Sequence, residues 1–410
     1  MTHNDDRATW QEGGQAHAAD WRTAEHGAVP RRIVTGDDTL SADAAFRLAS
    51  QGTAILWQGD FHNGKQLLQA LARRVDEHMG PRSRRGAKKR PASGRAGQDA
   101  TDTSAAHGDD STLAPRELFN RHRMRQSQRA QLLNRLLVKV APATDAAHKP
   151  PVLALRRAPD ISQACVAAIG PVPAPLLIPL RALLGYIGAW EWRKKGVPVP
   201  GLSGNIHVYY GVFSPNRGEY LDLLAQAPLP STRLAFDIGT GSGVLAALLA
   251  TRGVKQVVAT DQDERALACA QDNMARLGLE DAVRIVRADL FPSGRSPLVV
   301  CNPPWLPARP TTPIEHALYD PDSRMLLGFL RGLGEHLEDE GEGWLIMSDL
   351  AEHLGLRAPG FLAQAFAEAG LEVAGRLDAR PRHPKAQDAA DPLHAARRAE
   401  VTSLWRLKRR

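Results

Sequence analysis

Four short apolar runs, each closing on an acid or an amide, constrain this chain more than any other feature. Leu234-Ala-Phe-Asp237 breaks into Ile-Gly-Thr-Gly-Ser-Gly243, and Val254 to Asp261 ends on a carboxylate. Val283 to Asp289 ends the same way, and Leu298 to Cys301 is followed by Asn302-Pro303-Pro304-Trp305. Short runs of this kind are consistent with strands buried inside a sheet. Val244–Leu249 and Asp263–Leu277 read as helices, the second with Gly278 as its C-cap. Strand, turn, helix and strand in repetition predict an open, doubly wound α/β sheet. Ligands bind such sheets at the carboxyl ends of the strands, which is where Asp237, Asp261, Asp289 and Asn302 would gather.

Gly239, Gly241 and Gly243 alternate through the first turn. Glycines there let the backbone turn sharply and let a ligand approach with no Cβ in the way. The spacing is Asp-x-Gly-x-Gly-x-Gly, with no Gly-x-Gly-x-x-Gly and no Lys-Ser/Thr. That argues against a dinucleotide and against a triphosphate held by a P-loop. Asp261 is placed to bind vicinal ribose hydroxyls; Asp289 either accepts from an adenine amino group or is a surface acid closing its strand.

Taken together, residues 206–410 resemble class I S-adenosylmethionine-dependent methyltransferases with an Asn-Pro-Pro-aromatic motif. The group is related to rRNA amino-methyltransferases and to release-factor glutamine methyltransferases. The resemblance implies S-adenosylmethionine as cofactor and a Rossmann-like seven-stranded sheet whose last strand is antiparallel. It implies cofactor contacts from Asp237, Gly239, Thr240, Gly241, Gly243, Asp261, Asp289 and Leu290, with Phe291 as further apolar cover. Asn302, Pro303, Pro304 and Trp305 match the catalytic motif. The segment 206–220 corresponds to one lying over cofactor and target, with Phe213, Ser214 and Pro215 as a lid and Arg217 near the methionine end. Read without the resemblance, the same segment is a hairpin that caps the sheet.

The motif suits a particular chemistry. An exocyclic amine or an amide nitrogen is a weak nucleophile because its lone pair is delocalised. The Asn302 side-chain oxygen and the Pro303 carbonyl can accept from its N–H groups, orienting the lone pair and stabilising developing positive charge. Two prolines stiffen the loop, and Trp305 offers a flat face for a base or an amide.

The rest of the chain is less specific. Residues 1–30 are polar with no apolar period and read as disordered. Residues 31–205 read as a mainly helical accessory region: a helix over Asp43–Ala49, a strand over Thr53–Trp57 and a helix over Lys65–His78. A basic flexible insert spans 81–114, serving either as an arm for a phosphate backbone or as a solvated linker. Pro115 to Val140 reads as one basic helix, whose arginines either bind phosphate or coat a helix packed through leucines. Trp190 and Trp192 read as packing residues, and Gly196 to Gly201 as a linker. After Trp305, a proline-rich loop over Leu306–Pro313 is expected to border the target pocket.

The net charge of +7 favours an anionic partner, nucleic acid first. No apolar run is long and clean enough to span a bilayer, and Asn4-Asp5-Asp6-Arg7 lacks the order of a signal peptide. Cys165, Cys269 and Cys301 are far apart with no metal spacing, so a cytoplasmic protein without metal is expected. The expected activity is N-methylation of an RNA amino group, ribosomal RNA foremost. The alternatives are a glutamine amide of a translation factor, or a non-catalytic RNA-binding module.

Overall fold

The computed structural model describes residues 7–22, 27–79, 113–142, 150–215, 218–310, 315, 318–382 and 386–410. β1 (Arg7–Glu12) and β2 (Gln15–Trp21) form an antiparallel hairpin. The disorder expected for residues 1–30 is therefore overturned over 7–21, while 1–6 and 23–26 lie outside the described residues. Ala8, Trp10 and Ala19 are buried on one face of this hairpin. Its period of two is carried by alanine and one tryptophan, which a search for branched aliphatics passes over.

The accessory region continues with β3 (Ile33–Gly36), α1 (Ala42–Ser50), β4 (Ala54–Trp57) and α2 (Phe61–Met79). Then come α3 (Pro115–Leu133), β5 (Leu136–Pro142), β6 (Pro151–Leu153), α4 (Ser162–Ile169), β7 (Leu176–Pro179) and α5 (Leu180–Lys195). The single helix expected over 115–140 is thus a helix and a strand. Leu136, Leu137, Val138 and Val140 are fully buried, and β5 runs parallel to β4 and antiparallel to β7. Tertiary pairing overrides the helical reading of that leucine-rich run.

The strands stand in the order β1-β2-β7-β5-β4-β3, with β6 on β5. Helices hold most of the residues in its regular elements, as expected, but they accompany a seven-stranded sheet that makes the region α/β. Its strands are short, and β4 and β7 are buried at every position, so periodicity cannot tell them from turns of a buried helix. Trp192 is 43% exposed and is not a packing residue. The Gly196–Gly201 stretch is not a free linker. β8 (Val197–Pro198) pairs with β9 (Asn205–Ile206), and Val197 and Val199 are buried in the core of the following domain.

That domain contains α6 (Glu219–Gln226), β10 (Leu234–Ile238), α7 (Val244–Thr251), β11 (Gln256–Asp261), α8 (Glu264–Leu277), β12 (Val283–Arg287) and β13 (Ser296–Cys301). It continues with α9 (Arg324–His336), β14 (Leu337–Ser348), α10 (Leu350–His353), α11 (Phe361–Glu368), β15 (Leu371–Ala379), α12 (His394–Ala399) and β16 (Thr402–Arg409). The order is β12-β11-β10-β13-β14-β16-β15, and β16 is antiparallel to both neighbours. This is the seven-stranded Rossmann-like sheet expected from the sequence, antiparallel last strand included. β10 has β11 on one side and β13 on the other, so the chain reverses direction across the sheet there and a crevice opens at the strand ends. Pro359 precedes α11 instead of starting it, because Gly360 at φ +80° forms the turn into the helix.

Candidate functional site

A cavity of about 1520 Å³ lies at the carboxyl ends of β10, β11 and β13. It brings together Gly239, Thr240, Gly241, Asp261, Leu290, Asn302, Pro303, Pro304, Trp305 and Phe213. Asp237, Gly243, Asp289, Ser214 and Pro215 do not line it, and Arg217 lies outside the described residues.

The glycine loop is built from below. Asp237 is fully buried at the end of β10, where its Oδ2 accepts from the Thr240 hydroxyl at 2.6 Å and the Ala246 amide at 3.2 Å. These bonds tie the loop to the start of α7. Its Oδ1 is buried with no hydrogen-bond partner among the described residues. Gly241, at φ +57°, has open space where a Cβ would stand. Gly243, at φ +81°, serves packing: a Cβ there would lie 2.9 Å from Met274 Cε and 3.2 Å from Ala270 Cβ.

Burial pushes the Asp237 carboxyl up to about 6 from an ordinary 3.8. Between those values the folded state keeps a proton that the unfolded chain has lost. The contribution to stability is full below the unfolded value and is lost as pH rises through the folded one. Asp237→Asn removes this titration. Relative to wild type, the variant should gain up to roughly 3 kcal/mol between about pH 4 and pH 7, because each tenfold change in proton affinity is worth about 1.4 kcal/mol. Urea unfolding across that range measures the difference. A difference that does not vary with pH would show that Asp237 keeps an ordinary carboxyl in the folded chain.

Asp261, at the end of β11, faces the loop from the side. Its Oδ2 accepts from the Gly241 amide and its Oδ1 from the Asp263 amide, both at 3.0 Å. Burial holds its carboxyl above the usual range. Asp289 is exposed and accepts from the Gln262 side chain at 2.5 Å; Gln262 itself lines the cavity. Leu290 sits at φ +70°, with its carbonyl accepting from the Thr260 hydroxyl at 2.6 Å. Phe291 stacks on His336 at 4.3 Å between ring centroids and packs on α9, not over the cavity.

Across the crevice, Asn302 follows β13. The Trp305 indole N–H donates to Asn302 Oδ1 at 3.0 Å, which holds the amide in one orientation. Phe213 lines the cavity with its ring tilted against Tyr220 at 6.4 Å. The Ser214 hydroxyl is buried without a partner.

Several site residues have no local sequence signal. Tyr319 and Arg397 line the cavity from beyond the proline loop, and Val166, Ala167 and Gly170 reach it from the accessory region. Arg357 is buried behind the site, its Nη2 3.2 Å from the Ser323 hydroxyl and 3.4 Å from the Trp305 carbonyl. The arginines of α3 are largely engaged inside the molecule. Arg129 pairs with Asp76 at 2.6 Å, and Arg123 donates to the Arg309 carbonyl at 2.8 Å. Arg135, in the turn after the helix, donates to the Gly52 carbonyl at 2.8 Å.

Residues 204–369 match the family model of the methyltransferase small domain. A release factor glutamine methyltransferase of Shewanella oneidensis is 33% identical over 127 residues, covering 28% of this chain and 44% of that protein. A ribosomal protein L11 methyltransferase of Symbiobacterium thermophilum is 38% identical over 79 residues, covering 19% and 26%. A tRNA1(Val) (adenine(37)-N6)-methyltransferase of Tolumonas auensis is 32% identical over 90 residues, covering 21% and 38%. The chain spans less than half the length of each of these three relatives.

Proposed function

We propose, from the premise that residues 204–369 are a methyltransferase small domain, that this chain is an S-adenosylmethionine-dependent N-methyltransferase acting on an exocyclic amino group of RNA, ribosomal RNA foremost. The observation that carries the reading is the Asn302 amide, pinned by Trp305 and sharing one cavity with the glycine loop.

The residues present fit that cofactor. Gly241 leaves room for a ligand against the backbone, and the buried Asp237 Oδ1 lacks a donor among the described residues. Gly239, Thr240 and Gly241 would hold the methionine end, with Asp237 and Gly243 shaping the loop from behind. Asp261 would take the ribose hydroxyls, with Leu290 and Gln262 at the adenine and Asp289 holding Gln262 from outside the cavity. Phe213 would close over the cofactor with Ser214 and Pro215 behind it. When bound, S-adenosylmethionine supplies an electrophilic methyl group on a sulfonium.

The chain's own part is orientation. A carbonyl oxygen has two acceptor sites, so Asn302 Oδ1 keeps one after accepting from Trp305. That site and the Pro303 carbonyl would take the two N–H groups of the target nitrogen. Its lone pair is then turned out of conjugation, and positive charge developing on nitrogen meets oriented acceptors. Pro304 stiffens the loop. Trp305 and Tyr319 give the target end flat apolar faces, which suits a flipped-out or single-stranded base. The net charge of +7 favours a polyanionic partner.

A second reading is N-methylation of a glutamine amide on a translation factor. Two observations favour it. Relatives named for that reaction match this domain, and two of the α3 arginines expected at a phosphate backbone, Arg123 and Arg129, are engaged internally. A non-catalytic RNA-binding role would leave the pinned Asn302 without a purpose.

The test is methylation by the purified chain with cofactor labelled in its methyl group, using RNA and release-factor protein from cells lacking the enzyme. Label in an N-methylated nucleoside of ribosomal RNA is the expected result. Label in a glutamine-containing peptide establishes the second reading, and label in neither overturns both.

A further inference from the structure

From the contacts of α3 we infer that the accessory region completes the target side of the site, with Arg123 acting as a positioning residue on Tyr319. The inference rests on reading the Trp305 end of the cavity as the target side. Arg123 lies outside the methyltransferase small domain, yet its guanidinium sits 4.4 Å from the centre of the Tyr319 ring. Its Nη2 donates to the Arg309 carbonyl at 2.8 Å, and the Glu315 carboxylate is 3.6 Å away. One cation thus meets Arg309 in the proline loop and Glu315 and Tyr319 beyond it.

The loop is closed at its base by the backbone. The Leu306 amide donates to the Leu318 carbonyl at 3.2 Å, and the Asp320 amide donates to the Leu306 carbonyl at 2.8 Å. The Asp320 carboxylate then accepts from the Met325 and Leu326 amides, joining the loop to α9. Arg357 holds the Trp305 carbonyl from inside the catalytic domain. Arg123 holds Arg309 and Tyr319 from α3. Phe119, one turn earlier on α3, is buried with Leu350 and Leu354 and packs with Leu306 and Tyr319. The face that Tyr319 and Leu306 present to the cavity is therefore backed by a helix from a different domain.

A guanidinium over an aromatic face is attracted to the ring quadrupole, and its planar fork fixes direction as well as distance. Losing it frees the loop without touching the glycine cradle or Asn302. Target recognition should then weaken while cofactor binding stays as it is.

Hydrogen exchange on the full chain, with and without S-adenosylhomocysteine, tests this apart from any substrate. In Arg123→Ala, the amides of Leu306, Tyr319 and Asp320 should exchange on the order of tenfold faster, while those of Thr240 and Gly243 and the affinity for S-adenosylhomocysteine stay unchanged. Arg123→Lys keeps the cation and should recover part of the protection. Arg129→Ala, on the same helix but paired with Asp76, is the control and should leave the loop unchanged. With the RNA substrate, Arg123→Ala should raise KM about tenfold with kcat little altered. Unchanged exchange at the loop in Arg123→Ala, or equal loosening in Arg129→Ala, overturns the inference. Failure to methylate RNA in the wild type would instead overturn the proposed activity and leave the exchange result standing.

Discussion

Asn302→Ala is expected to lower methyl transfer about 10²- to 10³-fold at saturating cofactor and target, roughly 3–4 kcal/mol of transition-state stabilisation. The amide acts on the nucleophile, so calorimetry should find the affinity for S-adenosylhomocysteine unchanged to within about twofold. The hydrogen bond from the indole sharpens the expectation. Trp305→Phe keeps an apolar face but loses the N–H that pins Asn302 Oδ1 at 3.0 Å. It should cost about tenfold in rate, the size of one neutral hydrogen bond that orients an acceptor. A fully active Asn302→Ala protein would remove the basis for assigning the chemistry to this loop.

The second large effect belongs to the cofactor side. Asp261→Ala should weaken S-adenosylhomocysteine binding on the order of 10- to 100-fold, because hydrogen bonds to a charged group are worth roughly 1.5–3 kcal/mol. Part of that loss is internal. Asp261 also accepts from the Gly241 and Asp263 amides, so its removal loosens the loop before any ligand arrives. Asp261→Asn keeps an oxygen for one of these amides and should fall between alanine and wild type. The rate at saturating cofactor should change much less than the affinity. Equal affinity in all three proteins would mean that the end of β11 does not hold the nucleoside.

The two expectations draw on residues that were legible for the same reason. Asp261 and Asn302 close apolar runs, and in a doubly wound sheet the residue closing a strand is delivered to the ligand edge by the fold itself. Asp289 closes its run in the same way but is exposed and turned to Gln262, outside the lining of the cavity. The backbone leaves the sheet at Arg287, and Leu290 at φ +70° turns back to the cavity in its place. Phe291, expected as cover, is drawn to α9 because His336 and Phe329 offer it stacking partners there.

The accessory region was harder to read. The β1–β2 hairpin is patterned by Ala8, Trp10 and Ala19, and β5 by a leucine run that also suits a helix. Which state wins there depends on whether a neighbouring strand is present to take up the backbone hydrogen bonds, and that neighbour is remote in the chain.

From its sequence alone, then, this protein was committed to the strand, glycine loop and helix of its C-terminal half. It was likewise committed to Asp261 at the end of β11 and to Asn302 with two prolines and an indole beyond β13. These are local patterns, set by burial period and backbone freedom. The tertiary structure decided what the arginines of α3 do, that Tyr319 and Arg397 reach the cavity, and that Arg357 stands behind Trp305. A guanidinium on a helix suits a phosphate and a tyrosine face equally well. Only the approach of α3 to the loop beyond Trp305 chose between them, because that choice is made by a neighbour in space and not in sequence.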